Sequence, residues 1–204
     1  MPGFDALIAA ELSAEIKKKL DKRTLRKVER ILFTRYGISI KQSIEDFEKL
    51  DNVLKEFLGS TRHNFESQMV KKVFIQEKTK DHHNICIRIR NPKLRIFLIT
   101  CYSNLEILKI FSTPFKKSLN ISEILALTKI PKSSGYRKIS QLIRNGLLVK
   151  TSTTRSGSKR VEKFTKLFHA LDITIKEGKN EIIAKIPYNI YEQSTVVKLQ
   201  DTFS

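Results

Sequence analysis

Residues 120–166 constrain this chain more than any other stretch: NISEILALTKIPKSSGYRKISQLIRNGLLVKTSTTRSGSKRVEKFTK. Asn120 followed by Glu123 spells a capping box, which satisfies free N–H groups at a helix start. Ile121, Ile124, Leu125 and Leu127 then supply the apolar face of a short helix. Pro131 stops that helix, because it lacks an N–H and restricts the residue before it. Ser133 or Ser134 is the expected cap of a second helix, whose apolar positions Tyr136, Ile139, Leu142 and Ile143 keep the 3.6-residue period. Asn145-Gly146 ends it with residues that tolerate left-handed geometry. Two short helices around a tight turn are the helix-turn-helix arrangement, whose second helix enters a DNA groove.

The next residues sharpen that expectation. Leu147 to Thr154 reads as a strand, Arg155-Ser156-Gly157-Ser158 as a turn and Lys159 to Phe168 as a returning strand. A β-ribbon directly after the second helix is a wing. Residues 130–149, IPKSSGYRKISQLIRNGLLV, resemble winged-helix regulators of the ArsR type in archaea and bacteria. Shared features are the serines, then Tyr136-Arg137, the spaced apolar residues and Gly146-Leu147 opening the wing. The resemblance covers roughly the C-terminal half and implies a winged helix-turn-helix that regulates transcription.

With Tyr136, Ile139, Leu142 and Ile143 assigned to the core, Ser133, Ser134, Arg137, Lys138, Gln141 and Arg144 are left facing outward. Arg pairs bidentately with guanine and Gln with adenine in the major groove, whereas Ser and Lys more often position the backbone. Arg155, Lys159 and Arg160 on the wing suit phosphate or minor-groove contact. Taken singly, each of these residues is equally well a solvated polar group.

Charge supports the same reading. The formal net charge is +18 over 204 residues, which suggests a polyanionic partner. Residues 116–166 alone carry +11, with Glu123 and Glu162 their only acids, while residues 1–80 carry +5. The resemblance to ArsR-type proteins also raises metal sensing. Their thiolate sites need clustered cysteines, and here only Cys86 and Cys101 occur, in no ligand spacing. His82 and His83 are adjacent and point opposite ways on an extended chain, and His63 and His169 stand alone. No metal and no cofactor is therefore expected, and the cysteines read as buried reduced thiols.

Ahead of this region, residues 4–20, 23–36, 43–58 and a segment from Thr61 to Phe74 read as four amphipathic helices joined by short turns. Residues 36–60, YGISIKQSIEDFEKLDNVLKEFLGS, resemble a helical output module of archaeal signalling proteins, chiefly through the runs 43–49 and 53–59. That resemblance implies association or signal input rather than chemistry. Glu45, Asp46 and Glu48 look like paired carboxylates but fit the first turn of a helix, where the dipole favours acids. Polar residues 78–84 mark the expected domain boundary. Ile85 to Arg90 reads as a strand, and Leu94 to Thr100 as its return or as the start of a helix. Ser103 with Glu106 reads as another capping box. Leu171 to Ile175 and Glu181 to Ile186 flank a turn at Lys176–Asn180, and the tail from Tyr188 either packs as an arm or frays.

The expected architecture is α+β and mostly helical: a four-helix module over 1–80, then a winged helix-turn-helix with β-hairpins over 81–204. The expected function is DNA binding in transcriptional regulation, with double-stranded DNA as partner. The helical module would serve a homodimer or a regulatory protein partner. The alternatives are a winged-helix adaptor in a protein or RNA assembly, and a ligand-gated sensor. The sequence has no GxGxxG, Walker loop, GxSxG or HExxH, so no catalytic role is expected. Apolar runs too short to span a bilayer point to a cytoplasmic protein.

Overall fold

A computed structural model of the chain describes residues 3–79, 83–156 and 159–201. It is an α+β structure with small antiparallel sheets. Helices α1 (Gly3–Lys19) and α2 (Lys22–Tyr36) come first. Asp21 caps α2 by accepting from the N–H groups of Arg23 and Thr24, and Gly37 closes it at φ 68°. The third helix expected over 43–58 is broken in two. Ser39 and Gln42 form a capping box that starts α3 (Ile40–Ser43) earlier than expected. A 3-10 turn at Ile44–Asp46 separates α3 from α4 (Phe47–Leu58), because Asp46 leaves helical geometry at φ −144°.

Helix α5 (Arg62–Val73) ends one residue before the expected Phe74. Phe74 instead opens strand β1 (Phe74–Glu77), in keeping with the β preference of the Val-Phe-Ile run. Strand β1 pairs antiparallel with β2 (Asn84–Ile89). The segment 94–100 is helical, lying inside α6 (Pro92–Ser103), with Pro92 in the first turn and Asn91 accepting from Leu94 N–H. Helix α7 (Leu105–Ser112) is capped by Asn104, which accepts from Glu106 and Ile107 N–H, not by Ser103. Ser103 Oγ is already committed to the carbonyl of Ile99 at 2.8 Å.

Helices α8 (Ile121–Thr128) and α9 (Lys132–Arg144) lead into the hairpin β3 (Leu148–Ser156) and β4 (Lys159–Lys166). The turn expected at Arg155–Ser158 is shorter, since Arg155 and Ser156 belong to β3; Gly157 and Ser158 lie outside the described residues. Leu119, just ahead of α8, bridges Phe164 of β4 through reciprocal backbone bonds of 2.9 and 2.8 Å. This hairpin does not share a sheet with the next one, β5 (Ala170–Lys176) and β6 (Lys179–Pro187). The tail packs: α10 (Tyr188–Tyr191) and α11 (Thr195–Asp201) bury Ile190, Tyr191, Val196 and Val197.

The larger sheet has the order β1-β2-β6-β5, every pair antiparallel. Strand β6 alternates as one face of a half-buried sheet should, with Ile182, Ala184 and Ile186 fully buried. β1 lies on the N-terminal side of the boundary expected near residue 80, and its partner β2 on the C-terminal side. The apolar core is likewise continuous, running from Phe4, Ile8 and Leu12 through Ile87 and Ala184 to Ile139, Leu142 and Leu148. The Phe4 ring meets Phe74 edge-on at 4.9 Å and Tyr191 at 5.5 Å, joining α1 to β1 and α10.

Candidate nucleic-acid interface

The pair α8–α9 is held by local rules visible in the sequence. Asn120 Oδ1 accepts from Glu123 N–H at 2.9 Å and Glu123 Oε2 accepts from Asn120 N–H at 2.7 Å. Lys129 turns the chain in the left-handed region at φ 53°, so the helix is closed before Pro131 is reached. Pro131 occupies the N-cap position of α9 without a side-chain cap, and Ser133 and Ser134 sit inside the first turn. Gly135 lets the helices approach: a Cβ there would overlap Leu125 and crowd Ile130. Gly146, at φ 73°, ends α9, and Leu147 N–H returns to the carbonyl of Leu142 at 2.8 Å.

These constraints sort the expected residues of α9 onto two faces. Ser133, Arg137, Gln141 and Arg144 are exposed, and their spacing of four, four and three places them in one stripe. Ser134 and Lys138 turn aside to α7. Lys138 Nζ pairs with Glu106, and Ser134 Oγ donates to the same carboxylate at 3.3 Å. The Lys138 contact, chiefly, holds the Glu106 carboxyl below its ordinary range. Both residues anchor α9 rather than extend its outer stripe. Arg144 also borders a cleft of about 210 Å³ that includes Glu11 and Glu45, so its charge is shared between two surroundings.

On the hairpin, Arg155 and Arg160 are exposed register partners across β3 and β4. Directly opposed like charges are unfavourable in a sheet unless an anion sits with them. Lys159 is the partner of Ser156, and its side chain lies outside the described residues. A bulge between Lys150 and Ser152 bends β3. A cleft of about 490 Å³ runs under the hairpin beside the start of α8, lined by Ser122, Lys150, Thr153 and Arg160 among others. Both acids of 116–166 are spent within the fold, Glu123 in its capping box and Glu162 on Lys150 at 2.5 Å.

Three features escaped the sequence pattern. Tyr136, assigned to the core, is 43% exposed and its hydroxyl lies 3.2 Å from Ser122 Oγ, at the outer seam of α8 and α9. Helix α2 exposes Arg23, Arg26, Lys27 and Arg30, a basic face hidden when charge is summed over residues 1–80. His63, read as standing alone, lies 3.9 Å from Glu66, with Asp51 beside them. His82 lies outside the described residues, while His169 Nδ1 lies 3.2 Å from Asn84 Oδ1. Cys86 and Cys101 are buried free thiols, and burial pushes Cys101 up to about 11.

A separate cleft of about 720 Å³ beside the β5–β6 turn is also rich in arginine. There Arg88 is held by Glu77 and Glu181, and Arg95 by Asn180 and the carbonyls of Ile89 and Arg90. Those two side chains serve the sheet. No helix among the described residues is long and apolar enough to cross a membrane. No family model matches the chain, and no curated protein or solved structure shows significant similarity to it. The resemblances noted for residues 130–149 and 36–60 thus stand on those residues alone.

Proposed function

We propose that the protein is a non-catalytic, duplex-DNA-binding regulator of transcription, built on a winged helix-turn-helix. Helix α7, the Leu119 bridge, α8, α9 and the β3–β4 hairpin are its parts in chain order. The observation that carries this reading is the exposed stripe Ser133, Arg137, Gln141 and Arg144, followed in the chain by a hairpin that opposes Arg155 and Arg160, with both acids of residues 116–166 already committed. In this reading Arg137 and Gln141, one turn apart, address base edges in the major groove. Ser133 and Arg144 fix the helix on the backbone, and the wing arginines, with Lys159, clamp phosphates. The N-terminal helices would supply a homodimer contact or a surface for a regulatory protein.

The test is binding to a selected duplex, to its single-base mismatches and across salt concentrations. Six or more phosphate contacts would lower affinity by roughly a thousandfold between about 50 and 200 mM salt. Arg137→Ala should cost about 1–3 kcal/mol at the preferred site and relax base preference at one position. Arg160→Ala should weaken every sequence alike and reduce the salt slope by about one. A salt-independent affinity would remove duplex DNA as the partner. An even loss across all sequences for Arg137→Ala would favour the adaptor reading, in a protein or RNA assembly.

A further inference from the structure

Helices α4 and α5 meet over ionisable side chains that the DNA-binding surface does not use. Asp51 projects from α4, and His63 and Glu66 project from one face of α5 at a spacing of three. One ligand atom from each lies within 4.8 Å of the others. Asp51 and Glu66 are buried, at 6% and 5% exposure. Burying a carboxylate is costly unless it is paired or coordinates a metal. Arg62 answers part of that cost, its Nε lying 2.5 Å from Asp51 Oδ1. Glu66 Oε1 has no hydrogen-bond partner although it is shut off from solvent.

We propose that Asp51, His63 and Glu66 form a divalent transition-metal site that ties α4 to α5, with Zn²⁺ as the ion best suited to it. The donors are one imidazole nitrogen and two carboxylate oxygens, a set that suits Zn²⁺ with water in the fourth position. Asp51 has a second oxygen besides the one held by Arg62, so it ligates through one oxygen while the guanidinium orients it from outside. Second-shell partners of this kind fix a ligand's geometry. With both carboxyls ionised, two carboxylates against one guanidinium leave one negative charge, which a bound cation balances. The His63 side chain, 29% exposed, lies on the solvent side and gives the ion its route in.

The experiment titrates Zn²⁺ alone into chelator-treated full-length protein, in competition with a chromophoric chelator. One ion per chain is expected, with affinity reduced at least about tenfold in Glu66→Gln and in His63→Gln. Co²⁺ in place of Zn²⁺ should give visible ligand-field bands that both variants lose. Glu66→Gln keeps the side chain's shape and size, so the variant should still fold, while the rise in melting temperature on adding Zn²⁺ disappears. If that variant does not fold, His63→Gln, on the solvent side, decides the matter. Failure to hold a stoichiometric ion would overturn the proposal. So would equal Zn²⁺ affinity in the parent and both variants, since the ion would then sit elsewhere.

Discussion

Gly146 joins the two halves of the chain at the level of a single atom. Its φ of 73° already disfavours any side chain. The site is also closed: a Cβ would overlap the carbonyl oxygen of Gly3 and come within 2.8 Å of Leu7 N, both backbone atoms that cannot swing aside. Gly178, at φ 68° in the β5–β6 turn, has the same conformation with nothing within 4 Å of that Cβ. The two glycines separate conformational strain from steric overlap. Gly178→Ala should cost about 1 kcal/mol, the left-handed penalty alone. Gly146→Ala should cost about 3 kcal/mol or more, because overpacking adds to it. Denaturant midpoints of both variants measure the difference. Equal losses would mean that α1 does not press on the end of α9.

At the scale of elements, α9 is positioned by α7 through one carboxylate. Glu106 receives both Lys138 and Ser134, one turn apart on the inner flank of α9. Glu106→Gln should therefore release Lys138 toward solvent and, if the proposed duplex-DNA binding holds, raise its salt slope by up to about one. The same contact sets a pH dependence. Because the folded carboxyl is held below its ordinary value, the stabilisation is present above about pH 4.5 and is lost as pH falls through the folded value. Melting temperatures across pH 3–6 should fall less steeply in Glu106→Gln than in the parent. How much was legible follows from how local each signal is. The capping box at Asn120, the left-handed glycines and the buried pair Ile139 and Leu142 depend on near neighbours, and each appears where the pattern puts it. Tyr136 fits the apolar period equally well, yet it sits beside Gly135, which takes the inner position against Leu125. Lys138 looked like an outward cation because its partner lies on another helix, 32 residues away. The Asp51, His63 and Glu66 group was hidden for the same reason, since only the α4–α5 packing brings it together.

The whole molecule is tied through its ends as well as its core. Asp5, fully buried on α1, accepts from Ser194 Oγ, from Thr195 N–H at 2.7 Å and from Thr195 Oγ1 at 2.8 Å. Thr195 Oγ1 in turn accepts from Phe47 N–H at 3.0 Å, so one carboxylate links α1, α4 and α11. Burial raises the Asp5 carboxyl, while these hydrogen bonds oppose the rise. Together with the β1–β2 pairing and the unbroken apolar core, this leaves residues 1–80 and 81–204 without separate interiors. Two independent domains would melt in two steps, or would give a calorimetric enthalpy above the van't Hoff value. Here one transition is expected, with the two enthalpies equal. Asp5→Ala strands the buried Ser194 hydroxyl and leaves the half-buried Thr195 N–H and hydroxyl without their acceptor, at about 1–3 kcal/mol for a buried group left unsatisfied. The consequence distinguishes the architectures. If the halves fold as one unit, the variant moves the entire transition to lower temperature and keeps it single. If they are separate, it lowers only the part that holds α1 and splits the heat-capacity peak. A split peak, in the parent or in Asp5→Ala, would show that the boundary near residue 80 divides two cooperative units despite the sheet that crosses it.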